Sequence, residues 1–99
     1  EDYMQTTVNS IPNAFTVSSA FPNPFNPTTQ MALELNKDAT VSVKVFNTMG
    51  QLVDVITEGQ MSTGVYNLTW DGTNAASGVY LIQTEVGNEV HSQKIMLIK

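Results

Sequence analysis

Cysteine and arginine are both absent from this chain of 99 residues. Without cysteine, disulfide bonds and metal sites built from thiolates are excluded. Four lysines are the only cationic side chains against nine acidic residues, which gives a formal net charge of −5 at pH 7. Because nucleic acids and anionic lipid surfaces repel a chain with this charge, neither is expected as a partner.

Long apolar stretches are missing as well. The longest run, residues 95–98, is far shorter than the roughly 20 residues that a membrane-spanning helix requires, so no membrane insertion is expected. The chain begins at Glu1, and no basic region followed by an apolar region indicates a signal peptide. This start predicts a fragment of a longer precursor, in which the signal peptide of an exported protein lies upstream.

Residues with catalytic or metal-binding chemistry are few. His91 is the single histidine, and no serine and aspartate accompany it at a spacing typical of a catalytic triad. The acidic residues form no paired-carboxylate pattern, and Asp71-Gly72 is typical of a turn because it lacks the further acids of a calcium loop. The sequence predicts a protein that is not an enzyme and has no metal or cofactor.

Composition and periodicity favour an all-β fold. Charged residues make up only 13% of the chain, whereas threonine, serine and asparagine are frequent. Apolar residues alternate with polar ones over seven short segments separated by turn signals, which predicts one antiparallel Greek-key β-sandwich. The predicted strands cover residues 13–18, 28–36, 40–45, 51–57, 66–70, 78–86 and 90–98.

Three segments carry more specific predictions. Residues 1–10 are polar without a period and predict a linker from an upstream domain, which leaves residues 11–99 as the sandwich. Residues 51–57 have apolar side chains on both pleat faces, which predicts partial burial on both sides, and the glycines around residues 58–64 predict a loop. Trp70 belongs to an alternating segment, which favours a core position over a sugar-stacking platform.

Residues 21–29 (FPNPFNPTT) hold three of the four prolines. Each proline fixes φ and removes a backbone donor, so the segment cannot run through the middle of a sheet. Phe21 and Phe25 carry rings that favour burial. We predict an extended edge segment that crosses the end of the domain and is fixed in the core by both rings.

Five motifs follow one another along the chain. They are residues 11–15 leading to residues 21–29, then residues 45–53, 69–72, 77–80 and 94–99. Each motif alone is a weak signal, but their order and approximate spacing resemble the type A C-terminal sorting domain of the type IX secretion system. The resemblance extends from about residue 11 to residue 99.

The resemblance implies an Ig-like β-sandwich that serves as a sorting signal for passage across the outer membrane. The signal lies at the C-terminus of a precursor whose N-terminal part is the cargo, and the product is secreted or held at the cell surface after passing through the periplasm. The implied partners are the type IX translocon, an outer-membrane shuttle protein and a sortase-like protease that removes the domain and attaches cargo to surface lipopolysaccharide.

Carried over by position, the resemblance also implies a set of recognition residues. They are Pro22, Asn23, Pro24, Gly50, Gln51, Gly78, Val79, Tyr80, Lys94 and Lys99. Structural roles compete with recognition here, because prolines suit a rigid crossing, glycines suit turns, and lysines protect edge strands unless a partner adds a strand there. The loop over residues 73–77 is shorter than in many members of the family.

Two other functions stay open on the sequence. One is a structural or carbohydrate-binding Ig-like module that accompanies an extracellular enzyme. The other is an Ig-like domain of the kind found in flagellar hook-capping proteins, which the sequence also resembles.

Overall fold

Seven β-strands make up the fold of residues 15–99, which are the residues that the computed structural model describes. They are β1 (Phe15–Val17), β2 (Thr28–Leu35), β3 (Ala39–Asn47), β4 (Leu52–Met61), β5 (Gly64–Asp71), β6 (Gly78–Val86) and β7 (Glu89–Leu97). Over this range there is no helix, and hence none that could cross a membrane. The predicted linker, residues 1–10, lies outside the described residues.

The strands form two antiparallel sheets. One has three strands in the order β1-β2-β5, and the other has four in the order β4-β3-β6-β7. The chain moves between the sheets after β2, after β4 and after β5, which is the Greek-key connectivity of an Ig-like sandwich. The predicted fold class is confirmed.

The core lies between the sheets and follows the period of two. In β2 and β3 the inward residues Met31, Leu33, Leu35, Val41, Val43 and Val45 are all at most 4% exposed. In β6 and β7 they meet Ile82, Ile95 and Leu97, each 1% exposed. Complete burial of a side chain of this size stabilises the fold by about 1.5–3 kcal/mol, so the alternating strands determine which faces meet.

β4 differs from the prediction in length. It continues to Met61 because residues 57–61 pair with the first half of β3, and only Ser62 and Thr63 separate it from β5. The predicted loop over residues 58–64 is therefore wrong. The reason is that the hairpin with β3 extends the ladder of backbone hydrogen bonds through Gly59, a position that local propensity alone would assign to a loop.

β4 also differs from the prediction in burial. Ile56 is partly buried and packs against the core, whereas Leu52 and Val55 on the outer face are 55% and 40% exposed, so the strand is covered mainly on its inner face. β4 is the edge strand of the four-stranded sheet, and the three strands of the opposite sheet leave most of it uncovered. Two register shifts against β3, of the kind that β-bulges produce, lie along the same strand.

Candidate recognition site

The proline segment passes from one sheet to the other. At its start Phe21 exchanges two backbone hydrogen bonds with Gln30 of β2, at 2.8 and 3.0 Å. At its end the Phe25 amide donates to the Met96 carbonyl, and the Ile98 amide donates to the Phe25 carbonyl, both at 2.9 Å. The prolines are tolerated because the non-proline residues Phe21 and Phe25 provide the backbone hydrogen bonds, and the predicted edge crossing is confirmed.

Only one of the two phenylalanine rings is buried. Phe25 is 2% exposed, and its ring centroid lies 5.6 Å from that of Trp70, which in turn lies 5.3 Å from the ring of Tyr80. Phe21 is 78% exposed, so the prediction of two buried rings is wrong. Because directly paired residues share a face of the sheet, Phe21 points to solvent together with its exposed partner Gln30.

Asn23 fastens the segment to the last strand by its side chain. Its Nδ2 donates to the Lys94 carbonyl at 3.1 Å, and its Oδ1 accepts from the Met96 amide at 3.0 Å. Asn23 lies between Pro22 and Pro24, and its side-chain amide forms the pair of hydrogen bonds to β7 that a backbone peptide group would form in a regular strand. Strand addition by a partner at Met96 is blocked, because Asn23 and Phe25 already bond both of its outward backbone groups, together with the Lys94 carbonyl and the Ile98 amide.

Gln93 continues this contact towards β1, and sequence reasoning missed it. Its Oε1 accepts from the Ala20 amide at 2.7 Å, and its Nε2 donates to the Ser18 carbonyl at 3.1 Å. We call the whole contact the edge seam; it joins Ser18, Ala20, Asn23 and Phe25 to Gln93, Lys94, Met96 and Ile98. The available sequence signal was a glutamine at an inward position two residues before buried Ile95.

Tyr80 and Trp70 have structural roles. The Tyr80 hydroxyl, in a side chain that is 7% exposed, donates to the Ala76 carbonyl at 2.6 Å, as in the tyrosine corner of Ig-like domains. Trp70 is 3% exposed and its Nε1 donates to Asp54 Oδ2 at 2.9 Å, which joins β5 to β4. The predicted core position of Trp70 is confirmed, and neither ring is available for stacking on a sugar.

The β3–β4 turn is organised by Asn47. Its Oδ1 accepts from the amides of Met49 and Gln51 at 2.9 and 3.0 Å, and its Nδ2 donates to Gln51 Oε1 at 2.9 Å. Gly50 has a φ of +82°, a left-handed conformation that glycine adopts at little cost. The turn predicted at Gly50 is confirmed. Asn47 was not among the predicted residues, although an asparagine at the start of a turn was an available signal.

The loop over residues 73–77 is held by Lys99. Its Nζ donates to the Thr73 carbonyl at 2.5 Å, and its backbone amide donates to Ser77 Oγ at 3.0 Å. At the start of the loop, side-chain and backbone hydrogen bonds from Thr73 hold the pKa of Asp71 below its ordinary value. The short loop is thus fixed at both ends, and Lys99 has a defined structural partner.

The structure brings several of the predicted residues together. A depression of about 240 Å³ is lined by Asn23, Pro24, Val79, Lys94, Ile95 and Met96. A second depression, of about 280 Å³, is lined by Phe46, Gly50, Leu81, Gln83 and Ser92. Gly78 pairs with Leu97 at the start of β6, and Pro22 accepts a hydrogen bond at its carbonyl from Thr29 Oγ1 at 2.8 Å.

This arrangement offers surface contacts rather than reactive groups. Within residues 15–99 no cluster of three or more histidine or acidic side chains could hold a metal ion. The exposed members of the predicted set lie beside the last strand and at the β3–β4 turn, whereas Tyr80 is buried beneath them. The chemistry available is that of a binding surface.

One comparison with known proteins gives a match. A family model described as a secretion system C-terminal sorting domain matches residues 19–99 of the 99. The matched range begins inside the edge seam and includes β2 to β7. A search of proteins with curated functions finds no match.

Proposed function

We propose that this chain, which belongs to the family of type IX secretion C-terminal sorting domains, is recognised as a folded surface when its precursor crosses the outer membrane. The family makes the domain a sorting signal of a secreted or cell-surface protein, handled together with its cargo precursor. The partners we propose are the translocon, an outer-membrane shuttle protein and a sortase-like protease. The outcomes we propose for the cargo are attachment to the surface or release.

The edge seam is the observation that supports the proposal that the domain is recognised as a folded surface. The outward backbone groups of Met96 and the amide of Ile98 are bonded within the domain, so a partner cannot read them as a free strand. The side chains of Met96 and Ile98 remain 43% and 50% exposed, and Lys94 is exposed beside them. A partner therefore meets side chains held in fixed positions, which reduces the ordering entropy lost on binding.

The test is an export assay. The 99-residue chain is fused behind a reporter that carries a periplasmic targeting signal, in a host with the type IX machinery. We expect the reporter outside the cell, and inside the periplasm in a matched host without the machinery. Retention in both hosts would refute the sorting function.

Two variants of the fusion separate folding from recognition. Removing residues 95–99 deletes Ile95 and Leu97, each 1% exposed, so we expect both unfolding and retention. Asn23→Ala instead weakens the edge seam while the core side chains stay in place. If the folded surface is the signal, export by Asn23→Ala should fall in step with the fraction of folded domain; full export by an unfolded truncation would contradict the proposal.

A further inference from the structure

The outer face of the four-stranded sheet is apolar at one end. Outward side chains lie between the buried positions of each strand, and next to the β3–β4 turn they are apolar. We call the following six residues the apolar face: Phe46, Leu52, Val55, Val79, Leu81 and Met96. Leu52, Leu81 and Met96 are 55%, 39% and 43% exposed, and Met49 in the turn beside them is 80% exposed.

Register makes these residues contiguous. Leu52, Phe46 and Leu81 are direct cross-strand neighbours, and the same row ends at Lys94. Val79 pairs directly with Met96 in the next row. Because paired residues on one face have Cβ atoms about 4.5–5.5 Å apart, the apolar face is one continuous surface rather than scattered side chains.

The apolar face also contains two depressions. The two depressions described above, of about 280 and 240 Å³, both open on it, one beside Leu81 and the other beside Val79 and Met96. Side chains of a partner can enter them, which is the geometry of the anchor residues that dominate protein interfaces. A sheet face with such depressions fits another folded protein surface.

Charge on this face opposes that of the chain. The row of Leu81 ends at Lys94. Lys44 lies in the adjacent row on the side away from Val79 and Met96. The first outward acids, Glu58 and Glu85, lie one row beyond Lys44, on either side of Ser42. Lys44 Nζ lies 3.7 Å from Glu58 Oε2, and this ion pair compensates its charge, whereas Lys94 forms no ion pair with any residue from 15 to 99. In a chain of net charge −5, Lys94 therefore makes the β7 end of the Leu81 row locally positive.

We propose that the apolar face docks a protein partner whose surface is apolar at its centre and carries carboxylates at its rim. Apolar contacts supply the affinity, and carboxylates opposite Lys94 select the partner. The inference rests on the sorting function above and places the contact on one surface of the domain. An anionic lipid surface fits less well, because the acids elsewhere on the chain repel it.

The experiment uses the same reporter fusion with surface variants. Leu81→Gln and Met96→Gln, combined, remove apolar contacts, and Lys94→Glu reverses the charge. We expect each to lower export about tenfold or more with an unchanged melting temperature, as loss of an interface anchor does. Val65→Gln, on β5 of the other sheet where Val65 is 65% exposed, and Lys37→Glu, in an exposed turn, are the matched controls and should export normally.

The outcomes distinguish the two proposals. Retention of the unmodified fusion overturns the sorting function, whereas normal export of both face variants overturns the docking surface alone. Lys94→Arg should export normally, because it keeps the positive charge that a carboxylate partner requires. Binding of the purified chain to phosphatidylglycerol vesicles that Lys94→Glu abolishes would assign the face to lipid instead and overturn the protein partner.

Discussion

Replacing Asn23 with alanine is the sharpest test of the edge seam. The change removes one donor and one acceptor, at 3.1 and 3.0 Å, that hold residues 21–27 against β7. An intramolecular hydrogen bond contributes about 0.5–1.5 kcal/mol net, so the loss of two lowers the free energy of unfolding by about 1–3 kcal/mol. For a domain of this size, each kcal/mol lowers the melting temperature by about 4–8 °C.

Two further variants test whether the loss of stability comes from the Asn23 hydrogen bonds. Asn23→Asp keeps the acceptor for the Met96 amide but places a carboxylate oxygen against the Lys94 carbonyl, so at neutral pH it should destabilise the domain at least as much as Asn23→Ala. Asn67→Ala is the matched control, because Asn67 is exposed on β5 and forms no side-chain hydrogen bond within residues 15–99. Urea unfolding followed by Trp70 fluorescence measures all three variants.

Amide exchange gives a readout at single-residue resolution. In Asn23→Ala the Met96 amide loses its acceptor, so its hydrogen exchange should accelerate more than that of the Ile98 amide, which still donates to the Phe25 carbonyl. If Asn23→Ala unfolds at the same urea concentration as Asn67→Ala and Met96 keeps its protection, the assignment of Asn23 as a structural fastener is wrong.

Trp70→Ala should lower the free energy of unfolding by about 3–5 kcal/mol in urea titration, since it leaves a cavity in the core; a loss under about 1 kcal/mol would contradict its burial. Gly72→Ala should cost about 1–3 kcal/mol, because an added Cβ would lie 3.0 Å from Leu97 Cδ2, and full stability in the same assay would show that the site relaxes freely. For Asp71, the hydrogen bonds from Thr73 lower the pKa in the folded state, so the stability they add is present above the unfolded value of 3.8 and is lost as pH falls through the lower, folded value. Melting temperatures of the unmodified chain and Asp71→Asn should therefore converge at acid pH, and a gap that is independent of pH would contradict this.

Alternation of apolar and polar residues was sufficient to predict which faces of β2 and β3 are buried. Each inward side chain there has at least one polar neighbour along the chain, and a shift by one residue would expose the whole apolar set. The same reasoning failed for β4, because Leu52 and Val55 are apolar and yet lie at an edge. Whether a strand lies at the edge or in the centre of a sheet depends on its pairing with distant strands, so the local pattern of apolar residues does not predict it.

For the candidate site too, the sequence predicted individual residues but not the contacts between them. Asn23 and Lys94 were predicted as separate recognition residues, but their contact depends on a pairing between the proline segment and β7. The row from Leu52 to Lys94 likewise exists only after four strands have taken their registers. Phe21 was predicted to be buried because aromatic rings favour the core, and its pairing with exposed Gln30 decided otherwise.

The edge seam also bears on the order in which the domain folds. Its side-chain bonds join residues 71 to 75 positions apart, and closing a flexible loop of that length costs on the order of 4 kcal/mol in chain entropy. No single one of these bonds offsets that cost, so they form together after β6 and β7 have paired. Closure of the seam is then a late, cooperative step, and a domain in which residues 18–27 are fastened is one in which β7 has already reached its place.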